Sequence, residues 1–394
     1  MHGYRADRAF DGERPLPGGA LVLVDGATIR GVQPAAAPAP EGCTVTDLPG
    51  ATLLPGLVDT HVHLCADGGP HALDQLPDLA AERLEGIVTR ALAGQLRAGV
   101  TTVRDLGDRD WVVADRPRRA AGAPTVVASG PPLTAPRGHC WAMGGEVSGV
   151  PGLRRAVRER AERGADVVKV MVSGGLLTPG TDVTACQFSP EEVRAVVDEA
   201  HRAGLPVTAH AHALPAVEAA LAAGADGIEH CSCLTGAGAR VPGDLPARLA
   251  AAGTAVCPTL GRLPGIEPPA HVLARMAASG TSYEDHLVTA AALHRGGVAL
   301  LAGTDAGVGP TKPHGGVALA VGELVATCGV PAAEALAGAT GRAADAVGLG
   351  SRTGRLRAGR DADLLAVDGD PLTDPACLQR PRLVVLRGRE VLRG

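Results

Sequence analysis

Aromatic residues are nearly missing: two Phe, two Tyr and two Trp make up 2% of 394 residues, leaving little surface on which a ring could stack. Lysine is as scarce, because of 37 basic residues only Lys169 and Lys312 are not arginine. The nine cysteines include no CxxC pair, and Cys231 and Cys233 straddle a single residue, which excludes a disulfide framework or a thiolate zinc site. They read as small buried hydrophobes. No apolar run approaches the ~20 residues of a membrane-spanning helix. Residues 1–20 carry Arg, Asp and Pro where a secretory signal would be apolar. The expectation is a cytoplasmic protein with no membrane partner. A net charge of -5 without any basic stripe argues against nucleic acid as a partner.

What is present reads as one large unit with a smaller one attached, since single cores stop growing near ~250–300 residues. The first 50 residues are short strand patterns separated by Gly and Pro turns, and they include a linker-like PAAAPAP at 34–40. From Ala51 eight short apolar runs alternate with amphipathic stretches: TLLPGLVDTHVHL, TTVRDL, PTVVASG, DVVKVMV, LPVTAH, DGIEH, TAVCP and VALLAGT. One of those stretches opens with the helix-start signal Ser189-Pro190-Glu191-Glu192. Eight βα units predict an α/β fold, a (β/α)8 TIM barrel over 51–352. A doubly wound sheet would place a Gly-rich phosphate turn after the first strand, where this sequence has a histidine pair. From Thr353 short strands return. Residues 1–50 and 353–394 are therefore expected to meet in one small β-sandwich domain.

His61 and His63 end the first run two residues apart, so a strand period of two turns both imidazoles to one face. Lys169 on the fourth run, His210 and His212 on the fifth, His230 on the sixth and Asp305 after the eighth repeat the theme. In a parallel barrel these positions open on the one face where function resides. Lys169 stands in the apolar run VVKVMV where Arg is the habitual cation, and unlike Arg a lysine can lose its proton.

The set HxH, Lys, His, His, Asp on strands one, four, five, six and eight resembles the amidohydrolase superfamily over nearly the whole chain. The wording PGLVDTHVHL, VVKVMVSGG, VTAHAHA, GIEHCS and LLAGTDAG looks most like its prolidase-like and imidazolonepropionase-like branch. The resemblance implies two divalent ions, zinc first and Fe, Mn or Co as alternatives. It places His61, His63 and Asp305 on one ion and His210 and His230 on the other, with Lys169 bridging both as a CO2-derived carbamate. Two ions sharing one water lower its pKa toward neutrality and polarise the carbonyl under attack. Asp305 is then the proton carrier. Either His210 or His212 could be the strand-five ligand. His210 is favoured because it lies deeper in the strand, and the resemblance sets the residue two later against substrate. His139, in the Gly-rich loop after strand three, could donate to the substrate carbonyl, with Arg137 a further substrate contact and Trp141 and Gln187 weaker ones. His71, His201, His271, His286, His294 and His314 are assigned no metal role.

The expected reaction is hydrolysis of a C–N bond in a small-molecule substrate, an N-acyl amino acid or Xaa-Pro-type dipeptide. A cyclic amide, a lactone or a phosphoester is an alternative. A mononuclear deaminase is disfavoured because Ala213 stands where such enzymes carry Glu. A catalytically silent scaffold is disfavoured because no ligand is missing. The chain could also form a homo-oligomer.

Overall fold

A computed structural model describes residues 1–393. The apolar runs become short, almost wholly buried parallel strands: β1 (Leu57–Val62), β2 (Val100–Asp105), β3 (Thr125–Ala128), β4 (Val168–Met171), β5 (Val207–Ala213), β6 (Gly227–Thr235) and β7 (Ala255–Cys257). Ladders join β1 to β2 to β3, and β4 to β5 to β6 to β7, all parallel. Single bridges span the remaining gaps. Leu133 pairs with Val170 beside β4, Leu300 with Val256 of β7, and Ala306 with Val62 of β1.

The eighth run was expected as a strand like the others, but it makes only these isolated bridges. Its backbone is held by other partners: Ala302 N–H donates to the Gly338 carbonyl at 2.8 Å, and Thr304 donates through N–H and hydroxyl to Asp59 at 3.0 and 2.7 Å. Close packing also requires Gly303, because a Cβ there would lie 2.5 Å from Cys257 Sγ and 2.6 Å from Thr60 Oγ1.

Helices connect the strands and bury one stripe each. Pro190–Arg202 begins where the sequence signalled, with Ser189 Oγ accepting from Glu192 N–H at 3.2 Å and Glu192 Oε2 accepting from Ser189 N–H at 2.9 Å. Val193, Val196, Val197 and Ala200 form its buried face, at helical spacing. A second capping box, Ser282 with Asp285, starts the helix Tyr283–Arg295.

The two chain ends do meet. Thr44–Pro55 pairs in parallel with His2–Phe10 and antiparallel with Leu364–Asp368, at the centre of one eight-stranded sheet. This sheet has its own buried cluster, including Tyr4, Val22, Ile29, Leu53, Leu364 and Val385, separate from the large core around the parallel strands. Thr44–Pro55 leads directly into β1, so the sheet fixes where the first histidine-bearing strand begins. All nine cysteines are free, and among the described residues no helix is long and apolar enough to cross a membrane.

Candidate metal centre and active site

The strand ends bring together six of the residues expected at the site. His61, His63, Lys169, His210, His230 and Asp305 line one cavity, together with His139 and His212. Backbone geometry re-aims two of them. His230 has φ +67° and Asp305 φ +61°, both in the left-handed region that non-glycine residues seldom occupy. In an unbroken strand Glu229 and His230 would face opposite ways, whereas here both are buried on the histidine side.

The hydrogen bonds behind each imidazole decide which nitrogen faces the cavity. His61 Nδ1–H donates to Glu229 Oε2 at 2.8 Å, and His63 Nδ1–H donates to the Gly107 carbonyl at 2.9 Å. The Thr259 hydroxyl donates to the Pro258 carbonyl, so it accepts from His230 Nδ1–H at 2.7 Å. In these three the bare nitrogen is Nε2. His210 is the reverse, because its Nε2–H donates to the Gly174 carbonyl at 3.1 Å and leaves Nδ1 bare.

Those lone pairs converge. Nε2 of His61 and of His63 lie 3.4 and 3.2 Å from Asp305 Oδ1, although both Nδ1 protons are committed elsewhere. Three acceptors this close repel one another unless a proton or a metal cation sits among them, and although burial opposes it, the Asp305 carboxylate raises His63 above the usual imidazole value. The ligand atoms of His61, His63 and Asp305 form one such group, and those of His210, His212 and His230 form another, each within 4.8 Å. The donor set of nitrogen with carboxylate oxygen suits divalent transition metals. Lys169 supplies a further sign of fit: it is buried, and its Nζ has no hydrogen-bond partner among the described residues.

Charge at the site follows from burial and neighbours. Burial lowers His61 to about 4, with Lys169 adding to the effect. His210, His212 and His230 are likewise held well below the usual imidazole value, first by burial and then by neighbouring imidazoles: His139 and His212 at His210, His286 and His139 at His212, and His212 and His210 at His230. Burial lowers Lys169 too, against the pull of Glu229 and Asp305. Burial would raise Asp305, but His61 and His63 outweigh it and hold the carboxyl below its ordinary range.

Sequence reasoning missed the supporting residues. Glu229 also accepts from Arg104 Nη2 at 2.8 Å and Thr208 Oγ1 at 2.6 Å, making a buried network behind His61. A carboxylate beside a histidine in GIEH was the available signal, hidden by the assumption of regular strand alternation. His286 was placed away from the strand ends, yet it lines the cavity from helix Tyr283–Arg295. Its Nε2–H donates to the Pro258 carbonyl, so its Nδ1 accepts from Ser232, 3.1 Å away, and Ser232 Oγ accepts from His212 Nδ1–H at 2.8 Å. His212 therefore also presents a bare Nε2, and this wiring does not separate it from His210 as a ligand.

His139 is buried against His210, with ring centroids 4.5 Å apart, and its Nδ1 is 3.0 Å from Thr178 Oγ1. Gln187 Oε1 accepts its backbone N–H at 2.5 Å, so Gln187 supports the His139 loop from behind. Arg137 falls elsewhere than expected: it is exposed, stacks 5.7 Å over Trp141, and neither residue lines the cavity. Its left-handed φ of +56° turns it outward.

Comparison with known proteins now places the chain. The sequence profile of the Amidohydrolase family matches residues 52–391. The chain belongs to that family. As a member it is a hydrolase of carbon–nitrogen bonds. It is 30% identical to an ochratoxinase of Aspergillus niger over 87% of this chain and 76% of that protein. It is 29% identical to an imidazolonepropionase of Mesorhizobium japonicum over 94% of this chain and 88% of that one. A crystal structure of a Xaa-Pro dipeptidase with bound methionine in its active site superposes with a TM-score of 0.87, at 26% identity and full coverage of both chains. Amidohydrolases are generally metal-dependent, in keeping with the donor groups above.

Proposed function

We propose that this amidohydrolase is a binuclear metal enzyme that hydrolyses the amide bond of N-acyl amino acids or Xaa-Pro-type dipeptides. The observation that carries the reading is the convergence of bare imidazole nitrogens and one carboxylate on a cavity that also holds a partnerless buried lysine. His61, His63 and Asp305 would hold one ion and His210 and His230 the other. Lys169 would bridge them as a carbamate, formed when its neutral amine adds to CO2 and loses a proton. Zinc suits these donors first. Bound divalent ions supply a water-derived nucleophile near neutral pH and Lewis-acid polarisation of the scissile carbonyl.

The chain's own residues do the rest. Asp305 accepts the proton of the attacking water at a carboxylate oxygen and returns it to the departing nitrogen. Thr178 Oγ1, donating to His139 Nδ1, would leave the His139 Nε2–H to bind the substrate carbonyl oxygen. His212, fixed through Ser232 and His286, faces the substrate with an acceptor nitrogen. Glu229 keeps the His61 proton on Nδ1.

For architecture we infer a closed (β/α)8 barrel over 51–352 and a small β-sandwich domain from 1–50 with 353–394. The bridges on either side of the eighth run and the separate core of the terminal sheet support this division.

A panel assay tests the function: metal-reconstituted protein against N-acyl amino acids, Xaa-Pro dipeptides, hydantoin-like cyclic amides and lactones, with elemental analysis alongside. The expected result is close to two ions per chain and turnover of the first two classes. Trace metal with full activity, or turnover confined to lactones, refutes it.

A further inference from the structure

The metal reading accounts for only one of the two lysines. Lys312 lines the same cavity, on the segment that follows Asp305. Its Nζ donates to the carbonyls of Thr259 and Leu260 at 2.7 and 3.2 Å, which leaves a third N–H free. No carboxylate among the described residues lies within 4.0 Å of it. Arg262 lines the cavity as well, and among the described residues its only acidic partner within 4.0 Å is Glu267, 3.5 Å away and 77% exposed.

Both cations pack on Tyr283, with Arg262 Cζ 5.1 Å and Lys312 Nζ 5.6 Å from the ring centroid. The nearby acid Glu323 attracts Lys312 through space but makes no ion pair within 4.0 Å with either cation. Its Oε2 already accepts from Tyr283 Oη at 2.7 Å and Gly261 N–H at 2.6 Å. Asp305 is engaged with His61 and His63. One wall of the cavity therefore carries two positive groups whose remaining donors have no anionic partner.

We propose that Lys312 and Arg262 form an anchor for a free carboxylate on the amine side of the scissile bond, so that the enzyme selects N-acyl amino acids over their neutral amides. This rests on the C–N hydrolysis reading above. The amine side is assigned because the departing nitrogen collects its proton from Asp305, and the Lys312 segment folds back to within two residues of it in the chain through the Gly307 N–H to Lys312 carbonyl bond at 2.8 Å. An ammonium held by two carbonyls meets a carboxylate as a point charge, and the guanidinium adds further donors.

The test compares N-acetyl-L-leucine, N-acetyl-L-leucinamide and succinyl-L-leucinamide, the last carrying its carboxylate on the acyl side. Wild type should favour N-acetyl-L-leucine in kcat/KM by roughly tenfold or more, as for one charge-assisted hydrogen bond. In Lys312→Met and in Arg262→Met the acid-to-amide ratio should fall toward one through KM, with metal content unchanged. Arg262→Met leaves the Thr259 and Leu260 bonds intact, so it answers even where Lys312→Met misfolds. Calorimetric binding of L-leucine against L-leucinamide to the metal-loaded protein gives a second readout. If none of the three amides is hydrolysed, the reaction reading fails, and the anchor is still decided by whether Arg262→Met removes a preference for leucine. Equal ratios in wild type and both variants, equal binding of leucine and leucinamide, or a preference for succinyl-L-leucinamide overturns the anchor.

Discussion

Replacing Glu229 with Gln tests the buried network behind the metal centre most directly. The carboxylate satisfies three donors: Oε1 accepts from Arg104 and Thr208, and Oε2 accepts from His61 Nδ1–H. A Gln keeps only one acceptor oxygen and must turn its NH2 toward one side. Against Arg104, which has no lone pair, that arrangement is purely repulsive. The amide will instead face His61, whose ring can respond by moving its proton to Nε2, the nitrogen that faces Asp305. His61 then no longer offers a lone pair to an ion. Removing the charge also leaves the Arg104 guanidinium buried, at 4% exposure, without its counter-ion.

Two separable effects are expected. Stability should fall by about 3–5 kcal/mol, as for breaking one side of a buried ion pair. Metal affinity should fall by about 10–100-fold, the usual cost of losing such an outer hydrogen bond. Urea midpoints give the first, and metal titration gives the second. The double variant Arg104→Met with Glu229→Leu removes both charges, so it should regain most of the stability while metal binding stays weak. Wild-type metal affinity in Glu229→Gln, with the His61 proton still on Nδ1 by 15N NMR, would falsify the reasoning.

The other expectations are narrower. His210→Ala should lose metal, whereas His212→Ala should keep it and lose mainly turnover; the opposite pattern in elemental analysis reverses the two assignments. Lys169→Arg keeps the charge but cannot take up CO2, so metal content and activity should fall as far as in Lys169→Ala, and a fully active Arg variant removes the carbamate. Gly175→Ala would put a Cβ 2.4 Å from the His139 ring, so kcat should drop by an order of magnitude or more with metal content unchanged; unaltered kcat removes His139 from the reaction. Burial raises Asp363 to about 6, so its cost to the fold is absent below about pH 4, grows as pH rises toward 6 and persists above. Asp363→Asn can still accept from Arg387 N–H and bond Thr353, and it should stabilise the protein at pH 7 by on the order of 2–3 kcal/mol but not at pH 4. Equal urea-midpoint shifts at both pH values contradict this.

The sequence by itself determined the alternation of apolar runs and helices, the meeting of the chain ends, and the positions of the histidines, Lys169 and Asp305. Those features rest on local rules: strand period, helix capping at Ser189, and the chemistry of a lysine kept where arginine is the habit. Tertiary structure alone decided the remainder. Glu229 and His230 share one interior because left-handed φ at His230 breaks the strand period, which no count of residues reveals. Arg137 turns outward for a similar backbone reason, and the eighth run bridges without forming a regular strand because Thr304 and Ala302 find partners distant in sequence. His286, Ser232, Lys312 and Arg262 reach the cavity from a helix, a strand and loops that only the packed fold brings together, and which nitrogen each imidazole presents depends on a carboxylate, carbonyl or hydroxyl behind it.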